Sequence, residues 1–122
     1  MFEKLNDIQG VYLNVTNISV TTLNDMYDGV NFILNDNTLP RDLRIYEDSR
    51  GLKATFNLKE LDKLIKDLFE ASKKYKSIKH AVVHNKSLYV AFGLFAERLT
   101  SGKIYTMKVF STPEAAWHWL NN

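Results

Sequence analysis

Cysteine is absent from this 122-residue chain. That removes disulfides, thiolate metal sites and cysteine nucleophiles together. Glycine is scarce, at five residues, and proline scarcer, at two. No Gly-x-Gly-x-x-Gly, P-loop or Gly-x-Ser-x-Gly string occurs, although phosphate cradles need glycine where backbone amides approach a ligand. No apolar run approaches the roughly 20 residues that a bilayer-spanning helix needs. The segment from Met1 to Asp7 lacks a basic stretch followed by an apolar one, so no secretory leader is expected. The net charge of +2 is too small to imply a polyanionic partner, and nucleic-acid binding is not expected. Together these absences predict a cytoplasmic protein without a membrane span.

What is present is a globular composition, 45% apolar and 25% charged, in a chain long enough to bury a real core. Short β-branched runs alternate with amphipathic helical segments. That order predicts an α/β fold with a parallel sheet. No linker, repeat or low-complexity tract divides the chain, so residues 1–122 are expected to form a single domain.

Residues 2–9 are compatible with a short edge strand. Val11, Leu13 and Val15 alternate with Tyr12, Asn14 and Thr16, the signature of a half-buried strand. Thr22 is a candidate helix cap with Asp25 three residues on. Leu23, Met26, Tyr27, Val30, Ile33 and Leu34 then recur at helical spacing. Residues 43–47 read as a strand with Leu43 and Ile45 on one face and Arg44 and Tyr46 on the other. Asn57 and Glu60 have capping-box spacing, ahead of an apolar stripe of Leu58, Leu61, Leu64, Ile65, Leu68 and Phe69. Residues 80–84 read as a central strand. Ser87 is the expected cap of a third helix that carries Leu88, Ala91, Phe92, Phe95 and Leu99. Residues 104–110 form the last strand. Thr112 caps a final helix with Pro113 at its first position, and Ala115, Ala116, Trp119 and Leu120 are expected to dock it.

Candidate chemistry is sparse. His80 and His84 fall on one strand face but about 13 Å apart, too far to share a metal ion. His84 with Asn85 and Ser87 stands where open α/β sheets place ligands, yet no nucleophile motif accompanies it, and a hydrogen bond to nearby backbone is the simpler reading. Glu47 and Asp48 form an acidic pair at a strand end, read as a solvated loop start rather than a magnesium site. Lys73, Lys74, Lys76, Lys79 and His80 read as cations at a helix C-terminus. No catalytic, cofactor or metal residues are assigned, and the chain is not expected to be an enzyme.

The aromatic residues suggest contact surfaces instead. Tyr12, Arg44 and Tyr46 share an outward sheet face, where cross-strand packing of the tyrosines under the N-terminal segment is the first reading and a contact surface for a partner the second. Trp117 is left over when Trp119 docks inward. Phe92 and Phe95, with Leu94 and Leu99, make the third helix unusually apolar; a second buried side is the simpler account, and a groove for protein or lipid the alternative.

The order of elements, Ala81-Val82-Val83, and the ending Phe110-Ser-Thr-Pro-Glu-Ala-Ala-Trp-His-Trp119-Leu120 resemble the SpoIIAA-like, STAS-type domains, in particular the small bacterial stand-alone members. The resemblance implies a single-domain βα superhelix, with a largely parallel but mixed sheet of four or five strands and about four helices. An antiparallel N-terminal strand belongs to that expectation. It implies a non-catalytic, regulatory, protein-interaction or self-associating module. By analogy with the Sec14-like relatives, binding of lipid or a small apolar ligand is the alternative. The antagonist members of the superfamily carry a phosphorylatable serine at the start of the second main helix. Here Asp48-Ser49-Arg50-Gly51 imitates that string but lies too early, and the helix start carries Asn57. Ser49 and Thr55 are therefore only weak phosphosite candidates.

Overall fold

The structure, a computed structural model, describes residues 2–16 and 20–122. β1 (Phe2–Asp7) returns through a tight turn into β2 (Gly10–Thr16), pairing antiparallel. Gly10 takes φ +114° there, a backbone region that L side chains avoid. Two-residue β3 (Val20–Thr21) leads to α1 (Leu23–Asn35). β4 (Asp42–Asp48) is followed by two-residue β5 (Lys53–Ala54), which pairs with β3, and by α2 (Leu58–Ser72). β6 (Ser77–Val83), α3 (Ser87–Thr100), β7 (Tyr105–Phe110) and α4 (Pro113–Leu120) complete the chain.

The main sheet has the order β1-β2-β4-β6-β7, parallel throughout except for β1. This is the mixed five-stranded α/β architecture with four helices that the family resemblance implies, where the order of elements alone predicts a parallel sheet. The small β3–β5 pair was not legible in the sequence, because two residues carry no periodicity.

Both capping boxes form. Thr22 Oγ1 accepts from the Asp25 N–H while Asp25 accepts from the Thr22 N–H, and Asn57 and Glu60 do the same for α2. Each cap of this kind contributes about 1 kcal/mol. α3 differs from expectation. Its cap is Lys86, whose side chain makes no capping bond, and Ser87 is already helical. The Tyr89 and Val90 N–H groups both bond the Lys86 carbonyl, so the helix starts one residue early.

Helices α1, α2 and α3 cover one sheet face, where Leu13, Ile45, Ile65 and Ile78 are almost completely buried. On the other face α4 lies over β4 and β6, with Ala81, Val83, Ala116 and Leu120 buried. Ala115, expected to dock α4, is exposed instead. The basic run also divides. α2 ends at Ser72, so Lys79 and His80 lie in β6 rather than at a helix end. Lys74 does serve a helix C-terminus, but that of α1: its Nζ donates to the Leu34 carbonyl (2.6 Å) and the Asp36 carbonyl (2.8 Å). Among the described residues, no helix is long and apolar enough to cross a membrane.

Candidate functional site

Strand register builds the site. Ile45 pairs with His80 and Ile78 with Tyr105, so Glu47, His80 and Tyr105 point to one sheet face from three neighbouring strands. That is the helix-covered face. Glu47 is only 5% exposed and Tyr105 fully buried. His80 Nε2 lies 2.8 Å from Glu47 Oε1, and its Nδ1 bonds the Tyr105 hydroxyl. Ser49, fully buried in the loop after β4, donates its hydroxyl to Glu47 Oε2.

Burial pushes the Glu47 carboxyl up, but the His80 hydrogen bond and charge, with the Ser49 hydrogen bond, outweigh it and hold Glu47 below the ordinary carboxylate range. Burial, assisted by the Glu47 charge, pushes the Tyr105 phenol well above its usual value. A buried carboxylate–imidazole pair is a weak source of stability, since well-packed apolar residues often do as well. A buried, perturbed carboxylate with a specific partner in the wall of a cavity is a functional-site candidate.

His84 stands beside this network, at the C-terminal end of β6. It is 6% exposed. Burial holds its imidazole below the ordinary value of 6.5, against the charge of Glu47 and a hydrogen bond to the Ser49 backbone. Its Nδ1 is the one buried side-chain polar atom without a hydrogen-bond partner among the described residues. An unpaired buried polar group costs about 1–3 kcal/mol.

Two apolar chambers adjoin these groups. One, of about 70 Å³, lies between α1, α2 and the sheet, with Glu47 and His80 in its wall. The other, of about 50 Å³, lies under α3, with Glu47 and His84 in its wall. Met26, Leu61 and Met107 line both, as does Glu47. Among the described residues no three ligating side chains gather at metal-binding spacing.

The remaining sequence candidates distribute as follows. Glu47 and Asp48 do not act as a solvated acidic pair. Strand alternation turns Glu47 inward, while Asp48 pairs with Arg50 (2.7 Å). Tyr12, Arg44, Tyr46 and Trp117 meet one another rather than an open surface. Trp117 stacks on Tyr46 at 4.9 Å and meets Tyr12 edge-on at 4.8 Å. Arg44 is buried over Tyr12, with its guanidinium on Asp7 (2.7 and 2.8 Å) and Asn121 (2.8 Å). Phe92 packs between Phe56 and Tyr89, and Phe95 is partly buried against the main core. Thr55, Asn85 and Ser87 are exposed, whereas the interior position of Ser49 is closed to a modifying enzyme.

Sequence reasoning missed the Glu47–His80–Tyr105 network, although alternation held the signal. Leu43 and Ile45 share their phase with Glu47, and Ile78 and Val82 share theirs with His80.

No protein-family model matches the chain, and no curated protein sequence does. Among solved structures, it is similar to an uncharacterised protein of the DUF3478 family from Shewanella loihica PV-4, described as having a SpoIIAA-like fold. The TM-score is 0.65 at 18% identity, over 98% of this chain and 92% of the other. With its mixed five-stranded sheet, three helices on one face and α4 on the other, this chain has the SpoIIAA-like fold.

Proposed function

We propose that the chain is a non-catalytic, cytoplasmic STAS-like module that holds a small apolar ligand in its core, against the Glu47–His80 pair. The observation that carries this reading is the pair of apolar chambers that share Met26 and Met107. Protein interiors are close-packed and voids are few. Methionine is the side chain best able to reshape around a guest. An apolar cavity of about 150 Å³ takes up benzene, and chambers of about 70 and 50 Å³ reach that size only if the methionines between them shift, so a single ring or short chain is the largest guest they suit. The absence of catalysis is supported by the hydrogen bonding. Glu47, His80, Tyr105 and Ser49 are engaged with one another, not aimed at an open cleft.

The test is native mass spectrometry of freshly purified protein, with toluene titration followed on the Met26 and Met107 methyl resonances. A co-purified small molecule, or saturable shifts of both methyls, is the expected result. A clean mass together with methyls indifferent to toluene overturns the reading.

A second reading, a regulatory module that docks an acidic segment of a protein partner or of a second copy, is favoured by one groove. Lys79, Arg98 and Lys108 line it with Trp119 and Leu94, and Leu94 is 55% exposed. Lys79 and Lys108 both lie over the Trp119 ring, at 5.1 and 5.6 Å. Titration with an acidic peptide should change Trp119 fluorescence, and Lys108→Glu should abolish the change. A strict monomer with unresponsive fluorescence removes this reading.

A further inference from the structure

The hydrogen-bonding state of His84 narrows the ligand class, an inference that rests on the core-ligand reading above. The residue is fixed from its own backbone, where its N–H donates to the Phe110 carbonyl (3.0 Å). The Ser49 backbone lies beside the imidazole and favours its N–H, while Nδ1 is left without a hydrogen-bond partner. Burial disfavours the charged ring at pH 7, so one nitrogen carries the hydrogen, and in the tautomer that places it on Nε2, Nδ1 presents a lone pair. Native interiors rarely leave such an atom unpaired.

The chamber that His84 lines is otherwise aromatic and aliphatic, with Phe56, Val82, Tyr89 and Phe92 in its wall. Tyr89 sits 5.6 Å from the His84 ring and 6.2 Å from Phe92. Rings at these separations offer faces and edges against which a planar guest packs. Glu47, in the same wall, opposes an anion. A cation would lose its hydration while finding Glu47 already hydrogen-bonded through both oxygens. A guest with acceptors alone would leave Nδ1 unpaired.

We propose that this chamber binds a small neutral molecule, a single ring or short chain carrying one O–H or N–H, which donates that hydrogen to His84 Nδ1. The ligand class is that of phenols, small indoles and short alcohols. The second chamber, reached past Met26 and Met107, takes the apolar remainder.

Phenol and toluene differ by one hydroxyl and serve as paired probes. In the wild-type protein, phenol should move the ¹⁵N resonance of His84 Nδ1 and toluene should not. In His84→Leu, the ratio of phenol to toluene affinity should fall about tenfold, the worth of one hydrogen bond. The nitrogen resonance needs no substitution, so it decides the matter even where the variant fails to fold. An Nδ1 resonance indifferent to phenol, while the methionine methyls respond to both probes, overturns this inference and leaves the core-ligand reading standing. Methyls that respond to neither probe remove both.

Discussion

Glu47 is the residue on which the interior turns. Its two carboxylate oxygens receive His80 and Ser49, and His80 in turn meets Tyr105. Truncating it leaves two buried polar groups, His80 and Ser49, without their common partner. Glu47→Ala is therefore expected to cost about 3–5 kcal/mol in urea denaturation, the range for breaking one side of a buried pair. The double variant Glu47→Leu/His80→Leu should recover much of that loss, since removing both partners removes the desolvation with them. His84 predicts a pH dependence. Its folded-state pKa lies below the ordinary 6.5, so the unfolded chain binds the proton first. Stability must then fall as the pH drops below about 6.5, and go on falling until the folded-state pKa is reached. The lowered carboxyl of Glu47 acts later. Its contribution is complete above its ordinary value of 4.5 and is lost as the pH falls through the folded-state value. Denaturation midpoints at pH 7.5 and 5.5 should differ more for the wild type than for His84→Leu. Equal differences would show that His84 titrates alike in both states.

At the scale of elements, what was legible in the sequence was whatever repeats locally. The Thr22/Asp25 and Asn57/Glu60 boxes were readable because a cap and its third residue lie within one turn. The alternation of Leu43, Arg44, Ile45 and Tyr46 was readable for the same reason. The site was not, because Glu47 looks like a loop start until β6 is known to bring His80 alongside. What covers the tyrosine face was not legible either, because nothing local says that α4 folds back over it. Gly93 shows the same limit. In sequence it is a weak point in an apolar helix, whereas in the fold it is where α3 meets β7. A Cβ there would stand 2.6 Å from Val109 Cβ and 2.9 Å from its Cγ2. Helix propensity alone would make Gly93→Ala stabilising by up to about 1 kcal/mol. The clash reverses the sign, with an expected loss of about 1–3 kcal/mol from overpacking. In a Val109→Gly background the opposing atoms are gone, and the same alanine should cost markedly less. A double-mutant cycle measures this coupling, and strict additivity would mean that α3 shifts to make room.

At the scale of the whole molecule, the two sheet faces carry different tasks. The face under α1, α2 and α3 holds the chambers and the buried network, while the face under α4 is closed by the Tyr12–Trp117–Tyr46 stack. Arg44 is the fastener on that closed side. From the centre of the sheet it reaches Asp7 at the end of β1, the Gly10 carbonyl at the start of β2 (3.3 Å) and Asn121 just past α4. One side chain thus joins the N-terminal hairpin to the C-terminal helix. Its hydrogen bond and charge hold the Asp7 carboxyl below its usual range, with the Gln9 and Gly10 backbone assisting against burial. Arg44→Met keeps the apolar stem and removes the fastening. Asp7 is partly exposed, so water takes over some of its lost bonds, and the expected cost is about 1–3 kcal/mol rather than that of a fully buried pair. The loss should be local. Hydrogen exchange should quicken in the β1–β2 turn and in α4, while α2 and the central amides of β6 keep their protection relative to global unfolding. Uniform acceleration would mean that the two faces unfold as one unit. Toluene shifts at Met26 and Met107 that survive in Arg44→Met would place ligand binding on the α1–α3 side alone, with α4 as a cover that the ligand does not need.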